Sequence, residues 1–297
     1  MAPEAYQAMT RATSDKNHVS KRPIKIATAQ SYISADVREN GREVRRLMRQ
    51  AREEGAALVH FPEGAMSGYT KSQIKSWDNV EWEALVYELQ LVASLAGDLG
   101  LWAVVGSNHR LTAPHRPHNS LYVISAHGKL VTRYDKQFCS NTEISNWYTP
   151  GREYCVFEVD GWRFGCALCI EIQFPELFLR YTELDVDCVL FSSYSESSMF
   201  GIQAQGYAAS HSYWVSVSVP AQTSHALSSR LIAPSGEIQA TATASISTVV
   251  LGQLDADSPD WRIPLQHARP WRAKAREGSI YRRKYVQDPR SDEKSIF

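Results

Sequence analysis

The chain has no long apolar run. Its longest uninterrupted ones, LWAVV and CALCI, are about five residues, against the roughly 18 to 20 that a membrane-spanning helix requires. It also has no charge excess: 32 basic and 32 acidic residues give a formal net charge of +0. Without a whole-molecule field, nucleic acid or anionic lipid would have to be held by a local patch, so neither is an expected partner. The first 22 residues, MAPEAYQAMTRATSDKNHVSKR, lack the apolar core of a secretory leader and read as a loose tail. Cysteine is scarce and odd in number. The five (Cys139, Cys155, Cys166, Cys169, Cys188) are irregularly spaced, which argues against a disulfide framework and for reduced thiols in a cytoplasmic protein. No linker rich in Gly, Pro or Ser divides the chain and no internal repeat is evident. At 297 residues the length alone favours two domains of roughly 150 residues, but the undivided pattern favours one. The expected boundaries are a tail over 1–22, a single domain over 23–268, and a basic, aromatic arm over 269–297 that lacks clear periodicity and is placed against a partner subunit.

What the sequence does have is an alternation of strand and helix signals from Ile24 onward. IKIATAQ reads as a strand, Val37, Val44, Leu47, Met48 and Ala51 recur at helical spacing, and ALVHFPE and LWAVVGS read as buried strands flanking a helix that begins near Trp82. SLYVISAHGKLVTRYDK and CVFEVDGWRFGCALC each read as two strands about a tight turn. Asp160-Gly161 is the stronger turn signal, since both positions favour positive φ. Beyond Pro175 come a short helix, the strand VDCVLFSS, a helix over Ile202–Trp214, the strand WVSVSV, a hairpin at Ser235-Gly236 and a last strand TVVLGQLD. Helices that alternate with strands cover sheet faces, and hairpins add antiparallel neighbours. The expectation is a layered α/β sandwich with mixed sheets.

Three residues stand where that architecture presents side chains at a sheet edge. Cys169 ends the strand GWRFGCALC before a turn into a helix through Pro175, the geometry of a nucleophile whose following backbone N–H groups can hold an anion. Glu63 ends a strand after Pro62, where a general base could reach the same edge. Lys136 ends the strand VTRYDK; by itself a lysine there is a solvent-facing residue. Glu143 and WYTPG read as a loop. Cys166 and Cys169 have a Cys-x-x-Cys spacing, but in a strand they face opposite ways and no second pair completes a metal site. His115 and His118 sit in a Pro-rich loop without a carboxylate partner, so no metal is expected.

Taken together, FPEGAMSGY, RYDK and GCALCIEIQFPE, in this order and with WYTPG after the lysine, resemble the motifs of the nitrilase superfamily, the carbon–nitrogen hydrolases. The resemblance runs from about Ile24 to about Asp255. It implies a four-layer α-β-β-α sandwich with two mixed β-sheets, at least a homodimer, and no metal or organic cofactor. It also implies a Glu63–Lys136–Cys169 triad acting through a thioester, with the Lys136 ammonium and the Ile170 N–H as oxyanion donors and Glu143 orienting Lys136. The surroundings of Glu143, KQFCSNTE, depart from the commoner Lys-x-His-Leu form, and YAAS with His211 replaces the usual Arg-Ala-x-Glu. Tyr69, Trp147 and Tyr194 are the candidate substrate-binding residues. Ile170 stands where true nitrilases carry Trp, which favours small amide or N-carbamoyl substrates. A nitrilase, an amide-forming acyltransferase and a non-catalytic ligand binder remain the alternatives.

Overall fold

The structure is a computed structural model that describes residues 21–70, 72–295 and 297; most of the expected tail, residues 1–20, lies outside them. The chain opens with β1 (Ile24–Gln30), α1 (Val37–Glu53), β2 (Leu58–His60), α2 (Trp82–Leu99), β3 (Trp102–His109), β4 (His118–Ile124) and β5 (Leu130–Asp135). It continues through α3 (Asn141–Asn146), β6 (Val156–Val159), β7 (Trp162–Leu168), α4 (Pro175–Glu183), β8 (Cys188–Ser192), α5 (Met199–His211) and β9 (Trp214–Ser218). It closes with β10 (Arg230–Ile232), β11 (Ile238–Thr241), β12 (Thr248–Leu254) and α6 (Arg269–Glu277).

Two six-stranded sheets result, ordered β12-β1-β2-β3-β4-β5 and β11-β10-β9-β8-β7-β6. In each, three central strands run parallel (β1, β2, β3 and β7, β8, β9) and the outer neighbours are antiparallel. The two halves therefore share one topology although no sequence repeat announces it. Short, continuously buried strands such as LVH, CVLFS and WVSVS follow from this, because a parallel strand is covered on both faces. One apolar cluster packs α1 and α2 on the first sheet (Val44, Leu47, Leu85, Val92 against Val59, Val105) and another packs α4 and α5 on the second. A third fills the space between the sheets, with Ile26, Leu58 and Val123 facing Phe164, Leu190 and Trp214. The four layers expected from the sequence are present.

Local differences have local causes. The fifth helix begins at Met199 and ends at His211, not Ile202–Trp214, because Ser212 takes a left-handed φ of 56° and releases the chain so that Trp214 opens β9. The stretch before WYTPG is not all loop. Ser140 and Glu143 form a reciprocal capping box that nucleates α3. In the C-terminal arm, Pro270 at the first turn and Gly278 at φ 85° bound a helix that weak periodicity hid. The arm lies on its own chain: the Arg272 guanidinium donates to the Ala209 carbonyl (2.6 Å) and Ser212 Oγ (2.8 Å), and Arg269 donates to the Val186 carbonyl (3.0 Å).

The inter-sheet layer turns polar as it nears the carboxyl ends of the parallel strands. Ser192 Oγ donates its one hydrogen to the Phe61 carbonyl (2.8 Å), so it can only accept from His60 Nε2 (2.7 Å). The imidazole is then the Nε2–H tautomer, and its Nδ1 accepts from Ser216 Oγ (2.9 Å), which in turn accepts from Thr28 Oγ1 (2.7 Å). Burial pushes the His60 pKa down to about 3, so this neutral pin joins the two sheets throughout the physiological range. Its far end holds the carbonyl two residues before Glu63.

Candidate active site

The chain leaves β2 through Phe61 and Pro62 and turns sharply at Gly64, whose φ is 71°. Gly106 on the neighbouring β3 makes room for it: a Cβ there would stand 2.1 Å from the Pro62 carbonyl oxygen and 2.9 Å from Glu63 Cα. Glu63 is thus seated against backbone, fully buried. Its Oε1 accepts from Asn119 Nδ2 (2.7 Å) and Lys136 Nζ (3.1 Å), and its Oε2 from the Tyr194 N–H (2.8 Å). Asn119 serves both partners, since its carbonyl also receives the Lys136 N–H at 2.8 Å.

Lys136 follows the edge strand β5, yet its side chain is only 1% exposed. Nζ donates to Glu143 Oε1 at 2.8 Å as well as to Glu63. Glu143 is fixed by its helix cap, Oε2 accepting from the Ser140 N–H at 2.7 Å. The solvent-facing placement that a lone strand-end lysine would have is overturned by these two carboxylates.

Cys169 follows β7 at a φ of 49° and opens the 3-10 turn Cys169–Gln173. A non-glycine residue in the left-handed region is strained, and such strain is held where a sharp turn must present one side chain. Ile170 follows it in that turn and is half-buried. The first N–H groups of a helical turn have no acceptor within it, so they point at whatever occupies the space before it. Ser193 follows β8; its buried hydroxyl has no hydrogen-bond partner among the described residues and is near enough to the Cys169 thiol to lower its pKa.

The electrostatics are those of one enclosed cluster. Burial, reinforced by the Glu63 charge, pushes the Cys169 thiol up to about 12 despite Lys136 and Ser193. Burial alone would discharge Lys136, but Glu63 and Glu143 together hold its pKa well above the usual lysine value. Burial raises and Lys136 and Ser140 lower Glu143, whose pKa ends below the usual carboxylate range. With both carboxylates ionised the cluster carries one net negative charge beside a neutral thiol. A thiolate formed there would double that charge in a place shielded from water, so ionisation of Cys169 needs a proton acceptor within reach.

The candidate binding residues divide. Tyr69 and Tyr194 stack at 4.6 Å between ring centroids, and Tyr69 lies 3.4 Å from Glu143 Oε1 through its hydroxyl. Gln73 Nε2 holds the Tyr194 hydroxyl at 2.9 Å. Trp147 caps α3 instead and sets its ring edge-on to Trp77 at 5.7 Å. No hydrogen bond or ring contact among the described residues joins Trp147 to Glu63, Lys136 or Cys169. Sequence reasoning missed Asn119, Ser193 and Glu171. A signal existed for the first, because Asn is uncommon inside a buried strand such as HNSLYVI. Among the described residues no group of three or more His, Cys, Asp or Glu is arranged to hold a metal ion.

A double-sheet α-β-β-α sandwich with Glu, Lys and Cys meeting at its strand ends is the architecture of the nitrilase superfamily. The carbon-nitrogen hydrolase family profile matches residues 25–263, and the chain belongs to that family. Nitrilase homolog 2 of Dictyostelium discoideum is 23% identical over 56% of this chain and 53% of its own length. The matched segment thus spans about half of that relative. Omega-amidase NIT2 of Xenopus tropicalis is 22% identical over 78% of this chain and 89% of its own. Among solved structures, the amidase from Nesterenkonia sp. superposes with a TM-score of 0.70 at 18% identity, covering 87% of this chain and 100% of that one. At that identity the superposition speaks for the fold alone.

Proposed function

We propose that the protein hydrolyses a non-peptide carbon–nitrogen bond in a small amide or N-carbamoyl compound through a thioester on Cys169. The observation that carries this reading is the buried Lys136 ammonium, hydrogen-bonded to Glu63 and Glu143 at 3.1 and 2.8 Å in the enclosure that holds Cys169. Glu63 takes the thiol proton as sulfur attacks the carbonyl carbon. The charge that develops on oxygen is held by the Lys136 ammonium and the Ile170 N–H, each contributing a few kcal/mol in a site this dry. Protonated Glu63 then passes its proton to the departing nitrogen, which leaves as ammonia or an amine. Glu63, again a carboxylate, deprotonates the water that cleaves the thioester. Glu143 keeps Lys136 charged and in place. The stacked Tyr69 and Tyr194 are the proposed substrate-facing rings, and Trp147, turned to Trp77, supports Glu143 from outside.

The likeness to an omega-amidase supports an amide over a nitrile, as does Ile170. The test is intact-protein mass spectrometry of Glu143→Gln incubated with a panel of amides, N-carbamoyl compounds and nitriles. The expected result is an acyl adduct that maps to Cys169 with an amide or N-carbamoyl donor. Adducts with nitriles alone would overturn the substrate assignment, and adducts elsewhere would overturn the mechanism. Product analysis with added hydroxylamine separates hydrolysis from acyl transfer.

A further inference from the structure

The mechanism gives no task to the buried carboxylate that shares the nucleophile's own turn. Glu171 stands two residues after the nucleophile, fully buried, and its two oxygens collect four donors from three segments. Oε1 accepts from the Gln137 N–H (2.7 Å) and the Phe138 N–H (3.1 Å), the two residues that follow Lys136. Oε2 accepts from the Leu168 N–H (2.7 Å), the residue before Cys169. The Tyr134 hydroxyl, on β5, lies 2.8 and 2.9 Å from the two oxygens. β5 belongs to one sheet and β7 to the other. A single side chain therefore ties the lysine strand end to the nucleophile turn across the inter-sheet space.

We propose that Glu171, as a carboxylate, is the positioning residue that fixes Lys136 and Cys169 relative to one another, so that the thiol is activated only while Glu171 is ionised. The argument is one of hydrogen-bond capacity. Three backbone N–H groups can do nothing but donate, and an ionised carboxylate is an acceptor on every lone pair. A proton on Glu171 would occupy one of those positions and would have only the Tyr134 oxygen to point at. Tyr134 would then have to accept that proton and leave its own hydroxyl hydrogen without the acceptor it has now, while the three backbone hydrogen bonds would lose the charge that strengthens them, so the strand ends would be held less tightly. The groups facing Glu171 are Lys136 and Tyr134 from the lysine hairpin, Tyr181 from α4, Cys166 from β7 and Cys139 from the loop before α3. Of these only Lys136 is a cation. Burial outweighs it and the hydrogen bonds, bringing the Glu171 carboxyl up to about 7, so the tie loosens as pH falls through neutrality.

This rests on the assignment of Lys136 and Cys169 above, and it is read on the thiol itself so that the two can fail separately. The rate at which iodoacetamide alkylates Cys169 is followed by intact-protein mass from pH 5.5 to 9. In the wild type, the logarithm of the rate is expected to fall more steeply with decreasing pH below about 7 than above it, because two groups must then be ionised. Glu171→Gln is expected to react about tenfold more slowly at pH 8 and to show one slope throughout. Tyr134→Phe, which removes one donor and keeps the carboxylate, is expected to move the break to higher pH; a role confined to folding would leave it in place. An unchanged rate and break in both variants would overturn the proposal for Glu171 alone. A wild-type Cys169 that resists alkylation at every pH would overturn the site with it.

Discussion

Replacing Lys136 by Met removes the cation between two carboxylates while keeping most of the stem's volume. Nζ lies 3.1 Å from Glu63 Oε1 and 2.8 Å from Glu143 Oε1, so these oxygens are at most about 6 Å apart. Two like charges at that separation repel by about 3 kcal/mol at an effective dielectric constant near 20, and stranding a buried charge costs about 3–5 kcal/mol. Both side chains are buried, so little of this is screened by solvent. The variant is expected to lose about 3–5 kcal/mol of unfolding free energy at pH 8, measured by urea denaturation with tryptophan fluorescence. The sign of the pH dependence provides a sharper check. In the wild type Glu143 has a depressed pKa, so its contribution is present above the unfolded value of 4.5 and is lost as pH falls below it. In Lys136→Met one carboxylate is pushed up instead, the native state binds a proton that the unfolded state has released, and stability declines as pH rises from about 5 to 8. Glu171, itself raised to about 7, adds a decline of the same sign to both proteins, and a larger one to the variant, because the Lys136 charge that lowers its pKa is gone. The deficit of the variant should therefore shrink by about 1.4 kcal/mol per pH unit on acidification until that carboxylate is protonated. A deficit under about 1 kcal/mol at pH 8, or one independent of pH, would refute the reasoning.

Cys169→Ala should abolish turnover of any amide substrate while unfolding within about 1 kcal/mol of the wild type, since the positive φ and its strain persist; Cys166→Ala, in the inter-sheet core, should retain turnover. Full activity in the first variant would remove Cys169 from the mechanism. Gly106→Ala places a methyl 2.1 Å from the Pro62 carbonyl, and it is expected to cost about 1–3 kcal/mol or more and to lower kcat/KM more than tenfold by displacing Glu63, about 1.4 kcal/mol. Wild-type kcat/KM in that variant would show that the Glu63 segment is less tightly seated than its packing implies.

The parts of the site differed in how far local pattern exposed them. The strand that delivers Cys169 was legible because GWRFGCALC is apolar up to a turn that Pro175 continues into a helix. The Asp160-Gly161 hairpin was legible because two positive φ values demand those residues, and they are found at 50° and 82°. The surroundings of Trp147 are not legible in its own segment, because its ring packs edge-on against Trp77, which lies 70 residues earlier. Ser193 and Glu171 are not legible because nothing in their immediate neighbours distinguishes a polar residue that anchors a site from one that faces solvent; only Asn119, set in the buried strand HNSLYVI, carries a local signal.

The sequence by itself determined the order of strands and helices, the layered class and, through three ordered motifs, which glutamate, lysine and cysteine to examine. These follow from periodicity and turn preferences that act over a few residues. The tertiary structure alone decided that Lys136 is an enclosed cation and not a surface one. Its partner Glu63 stands 73 residues away, while Glu63 is held by groups 56 and 131 residues away. Whether a charge is buried, paired or hydrated depends on what other segments place around it, and that is settled only when both sheets are closed on each other.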